Sequence, residues 1–119
     1  MTIDLSESRP CVIRLAEALT GLPGPAGEHA IGVLRHGTLD IRLAWAPARP
    51  STSTSHDQDE VYVVIRGRGV LVQDGAREPF ASGSLLFVAA GTEHRFEDLS
   101  EDLVVWVVFH GPLGGEVPV

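Results

Sequence analysis

The chain has 119 residues, of which 44% are hydrophobic, and a formal net charge of −7. That length suits one domain, residues 1–119, because a chain of this size buries about two-thirds of its unfolded surface, and the hydrophobic content argues against disorder. All nine basic residues are scattered arginines. This excludes a basic stripe for nucleic-acid phosphates and Schiff-base chemistry on a lysine. The single cysteine, Cys11, excludes an internal disulfide and a Cys-rich zinc site, and reads as a small apolar packing residue. The stretch Met1 to Glu7 has no basic lead and no long apolar run, so neither a secretion signal nor a membrane span is expected and the location is read as cytoplasmic.

Pro10 suits a first helical turn, and Val12, Leu15, Ala16 and Leu19 recur at helical spacing, which predicts a short amphipathic helix over 11–20. Gly21 offers its C-cap, and Pro23 and Pro25 stop it. Strands are predicted over 31–35 and 39–45, joined at His36-Gly37-Thr38. In the second, Leu39, Ile41, Leu43 and Trp45 alternate with Asp40, Arg42 and Ala44, the period of a strand with one buried face. A Pro- and Ser/Thr-rich loop from Pro47 to Ser55 leads into His56, and a polar loop of that length is often functional. Residues 61–65 are apolar throughout, and Arg66-Gly67-Arg68-Gly69 turns the chain. Strands at 70–73 and 77–80 flank Asp74-Gly75, a strong signal for a type I′ hairpin. Further strands are predicted at 85–88, 93–97 and 103–109. About eight short strands with frequent turn signals read as an all-β sandwich or barrel.

His56, Gln58, Glu60, Tyr62 and Val64 share one parity, so in an extended chain their side chains point to one face. An imidazole beside a carboxylate suits a divalent metal. Asp59 stands next to Glu60 and leaves the choice of carboxylate open. A second stretch, Gly83 to Asp98, reads as strand, turn, strand, with His94 just after the turn. Together the two stretches resemble the cupin superfamily, in particular its small single-domain, conserved-barrel members. The family's first motif is G-x5-H-x-H-x3-E-x6-G. Counting back from Gly67 puts Glu60 in the Glu place and His56 in the second His place, with Thr54 in the first His place and Ala48 in the first Gly place. In the second motif, G-x5-P-x-G-x2-H-x3-N, Gly83, Gly91 and His94 match, Ala89 replaces Pro and Asp98 replaces Asn.

The resemblance implies a double-stranded β-helix (jelly-roll) barrel with a short N-terminal helix, ahead of an immunoglobulin-like sandwich. It implies that His94 approaches His56 and Glu60 to form a two-histidine, one-carboxylate site for one divalent transition metal (Fe, Mn, Ni or Zn). A dioxygenase- or isomerase-like reaction on a small organic molecule follows as one expectation. A metal-free, non-catalytic small-molecule binder is the other, supported by Thr54 in a ligand place. Thr54, Gln58, Tyr62, Phe96 and Trp106 are the pocket candidates, with Trp45 on the same terms, and Tyr62 is the candidate catalytic group. His29, His36 and His110 fall outside both motifs and read as surface or strand-end residues. Residues 61–65 and 103–109 are apolar on both parities. A sandwich strand exposed on one face should alternate, so a two-fold homodimer is expected to bury a sheet face.

Overall fold

The computed structural model describes residues 3–4, 11–45 and 56–117. Pro10, Thr54 and the loop 46–55 that leads to His56 therefore lie outside the described residues. The elements are β1 (Ile3–Asp4), α1 (Leu15–Leu19), β2 (Ala30–His36), β3 (Leu39–Trp45), β4 (Asp59–Arg66), β5 (Arg68–Gln73), β6 (Ala76–Ala81), β7 (Leu85–Val88), β8 (His94–Glu97) and β9 (Val104–His110). A six-stranded sheet runs β1-β2-β3-β9-β4-β7, and a three-stranded sheet runs β6-β5-β8. All pairings are antiparallel except β1 with β2. Two sheets with crossing connections, facing each other over an apolar interior, make the expected jelly roll.

The interior between the sheets is filled by Tyr62 and Val64 of β4, Leu71 of β5, Phe80 of β6, Val88 of β7 and alternate residues of β9. Val105, Val107 and Phe109 share the parity that points inward. The opposite parity of β9 also finds cover. Val104, with Val33 and Leu43, forms a second apolar cluster on the outer face of the large sheet, and Ile13, Leu15, Ala18 and Leu19 pack against it. This explains the apolar character of both faces: one lines the barrel and the other lies under the N-terminal segment. Each fully buried Leu or Val side chain contributes about 1.5–3 kcal/mol relative to exposure.

The helix is shorter than its apolar spacing predicted, five residues in place of 11–20, and Arg14 precedes it as an N-cap without a side-chain bond. Its packing residues differ too, since Val12 is 76% exposed while Ile13 and Ala18 face the sheet. Cys11 is a correction: it is exposed rather than packed, because it precedes the first ordered turn that meets the sheet. The hairpin between β5 and β6 is as predicted, with φ of 49° at Asp74 and 76° at Gly75, the two left-handed residues that a type I′ turn requires. Among the described residues, no helix is long and apolar enough to cross a membrane.

Part of the outer face stays bare. Val63, Leu85 and Phe87 are exposed, and Val61 pairs with Phe87 and Val63 with Leu85 across β4 and the edge strand β7. They form one apolar strip beyond the reach of α1.

Candidate metal centre

His56, Glu60 and His94 each offer a ligand atom, and these atoms lie within 4.8 Å of one another. Glu60 is on β4, with the inward parity of Tyr62 and Val64, and is 1% exposed. His94 opens β8 on the opposite sheet and is 2% exposed. The jelly roll thus supplies one ligand from each layer. His56 lies just before β4 rather than within it, so it reaches the cluster from a loop and not by strand parity. Its carbonyl accepts a 2.7 Å bond from the amide of Gly91, which ties the two sequence motifs together at the barrel mouth. Its ring packs edge-on against Phe109 at 5.3 Å.

His56 Nε2 stands 3.5 Å from Glu60 Oε1, and His94 Nε2 stands 3.6 Å from Glu60 Oε2. Two ligand atoms each about 2.1 Å from one ion stand roughly 3.0–3.4 Å apart at octahedral or tetrahedral angles, so each imidazole–carboxylate spacing is within a few tenths of an ångström of that range, and the full set, spread over up to 4.8 Å, would draw together further on one ion. The chemistry of the donors fits as well. His94 Nδ1 is 3.1 Å from the carbonyl oxygen of Thr92. A carbonyl only accepts, so Nδ1 is the donor there, and Nε2 is the ring nitrogen turned toward Glu60. This is the outer-shell arrangement that orients metal-binding histidines. Glu60 is a buried carboxylate whose ion-pair partners among the described residues are imidazoles, not arginines, and a buried anion needs a cationic or hydrogen-bonding partner. Tyr62 meets part of that need: its hydroxyl donates to Glu60 Oε1 at 2.9 Å and lies 3.5 Å from His94 Nε2. Burial first, then the charge of Glu60 and their hydrogen bond, push the Tyr62 phenol far above its ordinary range, so it stays a neutral donor.

The other candidates separate. Phe96 packs edge-on to Tyr62 at 5.2 Å and lines the interior. Gln58 is engaged elsewhere: its amide donates to the carbonyls of Thr38 and Gly111 at 2.9 and 3.0 Å, pinning the β2–β3 turn to the end of β9. Trp106 is a correction. It has the parity of Val104 and packs in the outer cluster under α1, because on β9 only Val105, Val107 and Phe109 point inward. Thr54 lies outside the described residues. Asp59 is turned away from the cluster and accepts from the amides of Ala90 (2.9 Å) and Glu116 (3.1 Å). Those amides, Ala90 first, hold its carboxyl below the usual carboxylate range. Asp59→Ala should therefore release both, and amide hydrogen exchange at Ala90 and Glu116 is expected to quicken about tenfold or more. Unchanged exchange at Glu116 would show that the C-terminal segment is held by other contacts. His29 and His36 are exposed and His110 ends β9, half-buried.

Arg42 was not anticipated. It shares the parity of Asp40 and Ala44, which alternation alone assigns to the face opposite the apolar residues of β3. That face is the barrel side. The Arg42 guanidinium lies 4.7 Å over the Phe109 ring and pairs with Asp40 at 3.0 Å, so Arg42, Phe109 and His56 form one continuous wall at the mouth. No motif marks it; the register of β3 against β9, with Arg42 opposite Val107, is the signal that finds it.

Comparison with known proteins agrees with this architecture. The family model described as Cupin domain matches residues 42–110, which include His56, Glu60 and His94. An uncharacterized protein of Streptomyces coelicolor is 46% identical over 80 residues, covering 66% of this chain and 76% of the relative. A Rhizobium leguminosarum protein of unknown function superposes with a TM-score of 0.72 at 20% identity, covering 88% of this chain and all of the other. A DMSP lyase of Ruegeria pomeroyi superposes with a TM-score of 0.63 at 17% identity, covering 71% of this chain and 47% of the lyase. At such identities the structural likenesses show the fold alone.

Proposed function

The chain belongs to the cupin domain family, and from that premise we propose that it holds one divalent transition metal at His56, Glu60 and His94 and acts on a small organic molecule in the barrel, in a dioxygenase- or isomerase-like reaction. The observation that carries this reading is the convergence of two imidazoles on a buried carboxylate that, among the described residues, pairs with no arginine. A bound ion supplies Lewis-acid polarisation of a substrate oxygen. The chain's own part is to hold the ligands. Thr92 orients His94, Gly91 anchors His56, and Tyr62, through the hydrogen bond its neutral hydroxyl donates, holds Glu60 in place. The DMSP lyase built on the same fold shows that this kind of barrel can carry an enzyme, which fits the reading without fixing the reaction.

Metal analysis of protein purified without added metal tests it. About one equivalent of Fe, Mn, Ni or Zn per chain is the expected result. Metal below a tenth of an equivalent, with no thermal response to any of the four ions, would replace this reading by that of a metal-free small-molecule binder.

The bare strip of Val63, Leu85 and Phe87 supports a second part of the proposal, a two-fold homodimer that closes over it. An edge strand with an exposed apolar face is a natural pairing surface, and the outer cluster under α1 includes none of Val63, Leu85 and Phe87. Light scattering should give twice the chain mass, and Phe87→Glu should give the monomer mass. A wild-type monomer at high micromolar concentration would end that proposal.

A further inference from the structure

Beside the ligand cluster, the barrel holds a partly open apolar pocket of about 130 Å³, lined by Tyr62, Phe80, Leu86, Phe96, Leu99 and Val105 with their neighbours. Its walls are aliphatic and aromatic. Tyr62 belongs to both spaces: its hydroxyl bonds to Glu60, while its ring is cavity wall, edge-on to Phe96. Phe96 in turn stands 6.0 Å from the His94 ring. The cavity is therefore the space directly behind the candidate metal centre. Gly69 shapes its far end, where a methyl group would come within 2.5 Å of Leu99 Cδ2 and 2.8 Å of Phe80 Cζ, so both side chains rest on a bare backbone.

An apolar hollow leaves its lining atoms without dispersion partners on one side, and a ligand that fills it restores them. An apolar cavity of about 150 Å³ stays dry and takes up benzene or xenon. We propose that this cavity receives the apolar group of a ligand whose polar head is held at Glu60 and His94. The substrate class is then a small amphiphile: an oxygen-bearing head that carries a short branched alkyl chain or a single ring, and no longer tail. The head rests on the metal reading above; the tail does not.

Two probes test the parts separately. Benzene added to the metal-free protein is expected to shift the amide NMR signals of Phe96, Leu99 and Val105, and to leave those of Ala44→Ile or Leu86→Phe, which fill the space, unmoved. Two filling variants guard against one that fails to fold. On zinc-loaded protein, benzohydroxamate is expected to bind about tenfold or more tightly than acetohydroxamate, and the filling variants to lose that preference. Absence of benzene shifts in the wild-type chain overturns the proposal whatever the metal does. Equal hydroxamate affinities on loaded protein overturn it as well. Benzene shifts in a chain that takes up no zinc uphold the cavity as a binding site and overturn the metal reading instead, so the two failures are told apart.

Discussion

Glu60→Gln is expected to abolish the thermal response to metal while the barrel stays folded. Glutamine keeps the volume of the side chain and an oxygen to accept from Tyr62, whose hydroxyl now bonds to Oε1 at 2.9 Å. It removes only the charge that two imidazoles face from 3.5 and 3.6 Å. In metal-free protein the change should be neutral or mildly stabilising, since deleting a buried charge removes its desolvation cost. With metal the two proteins should diverge. At a hundredfold excess over Kd a ligand stabilises the native state by about 2.7 kcal/mol, which for a chain of this size is a rise in Tm of roughly 10 °C. The wild type should show that rise and Glu60→Gln should show almost none of it. His94→Ala should lose the metal too, with a native-like circular dichroism spectrum. It is the less clean variant, because His94 is 2% exposed and its removal also forfeits the bond to Thr92, a cost of about 1–3 kcal/mol. A full Tm rise in Glu60→Gln would place the ion elsewhere.

The convergence of His56, Glu60 and His94 was legible because it depends on spacing within two short stretches, and local spacing survives folding. The β5–β6 turn was legible for the same reason: Asp-Gly is the chemistry of two left-handed residues. What failed was the assignment of faces. Alternation says which residues share a side, but when both sides are covered it does not say which side is the interior. On β3 the apolar parity of Leu43 is buried, yet outside the barrel and under α1, which leaves Arg42 on the barrel side. On β9 both parities are apolar, and Trp106 falls on the outer one. Only the pairing register resolves this, since Trp106 lies opposite Val63 rather than Tyr62. Cys11 and the length of α1 failed for a different reason. Intrinsic propensity is a weak guide to short helices, whose extent is set by the surface they pack on.

The glycine that closes the first motif carries the largest expected effect on the fold. Gly67 joins β4 to β5 with φ of +93°, a conformation that costs an L side chain about 1–2 kcal/mol. Its surroundings add to that cost. A methyl group there would stand 2.6 Å from Leu103 Cα and 2.9 Å from Leu103 N, and these are backbone atoms that cannot rotate away. The turn cannot retreat either. The Arg68 amide donates to Ser100 Oγ, and the Ser100 amide donates to the Arg68 carbonyl, both at 2.9 Å. Leu103 itself is buried in the barrel interior, immediately before β9, so the clash is passed to the strand that pairs with both β3 and β4. Overpacking of this kind costs about 1–3 kcal/mol more. Gly91 is the control. It has φ of +77° and nothing within 4 Å of an added methyl group, so Gly91→Ala should bear the conformational cost alone and keep the amide that bonds to His56. Gly67→Ala is expected to lower Tm by upward of about 10 °C, at least twice the fall in Gly91→Ala, measured by thermal unfolding followed by circular dichroism. Equal falls in the two variants would mean that left-handed backbone alone, and not the close approach to Leu103, requires glycine at the end of the motif.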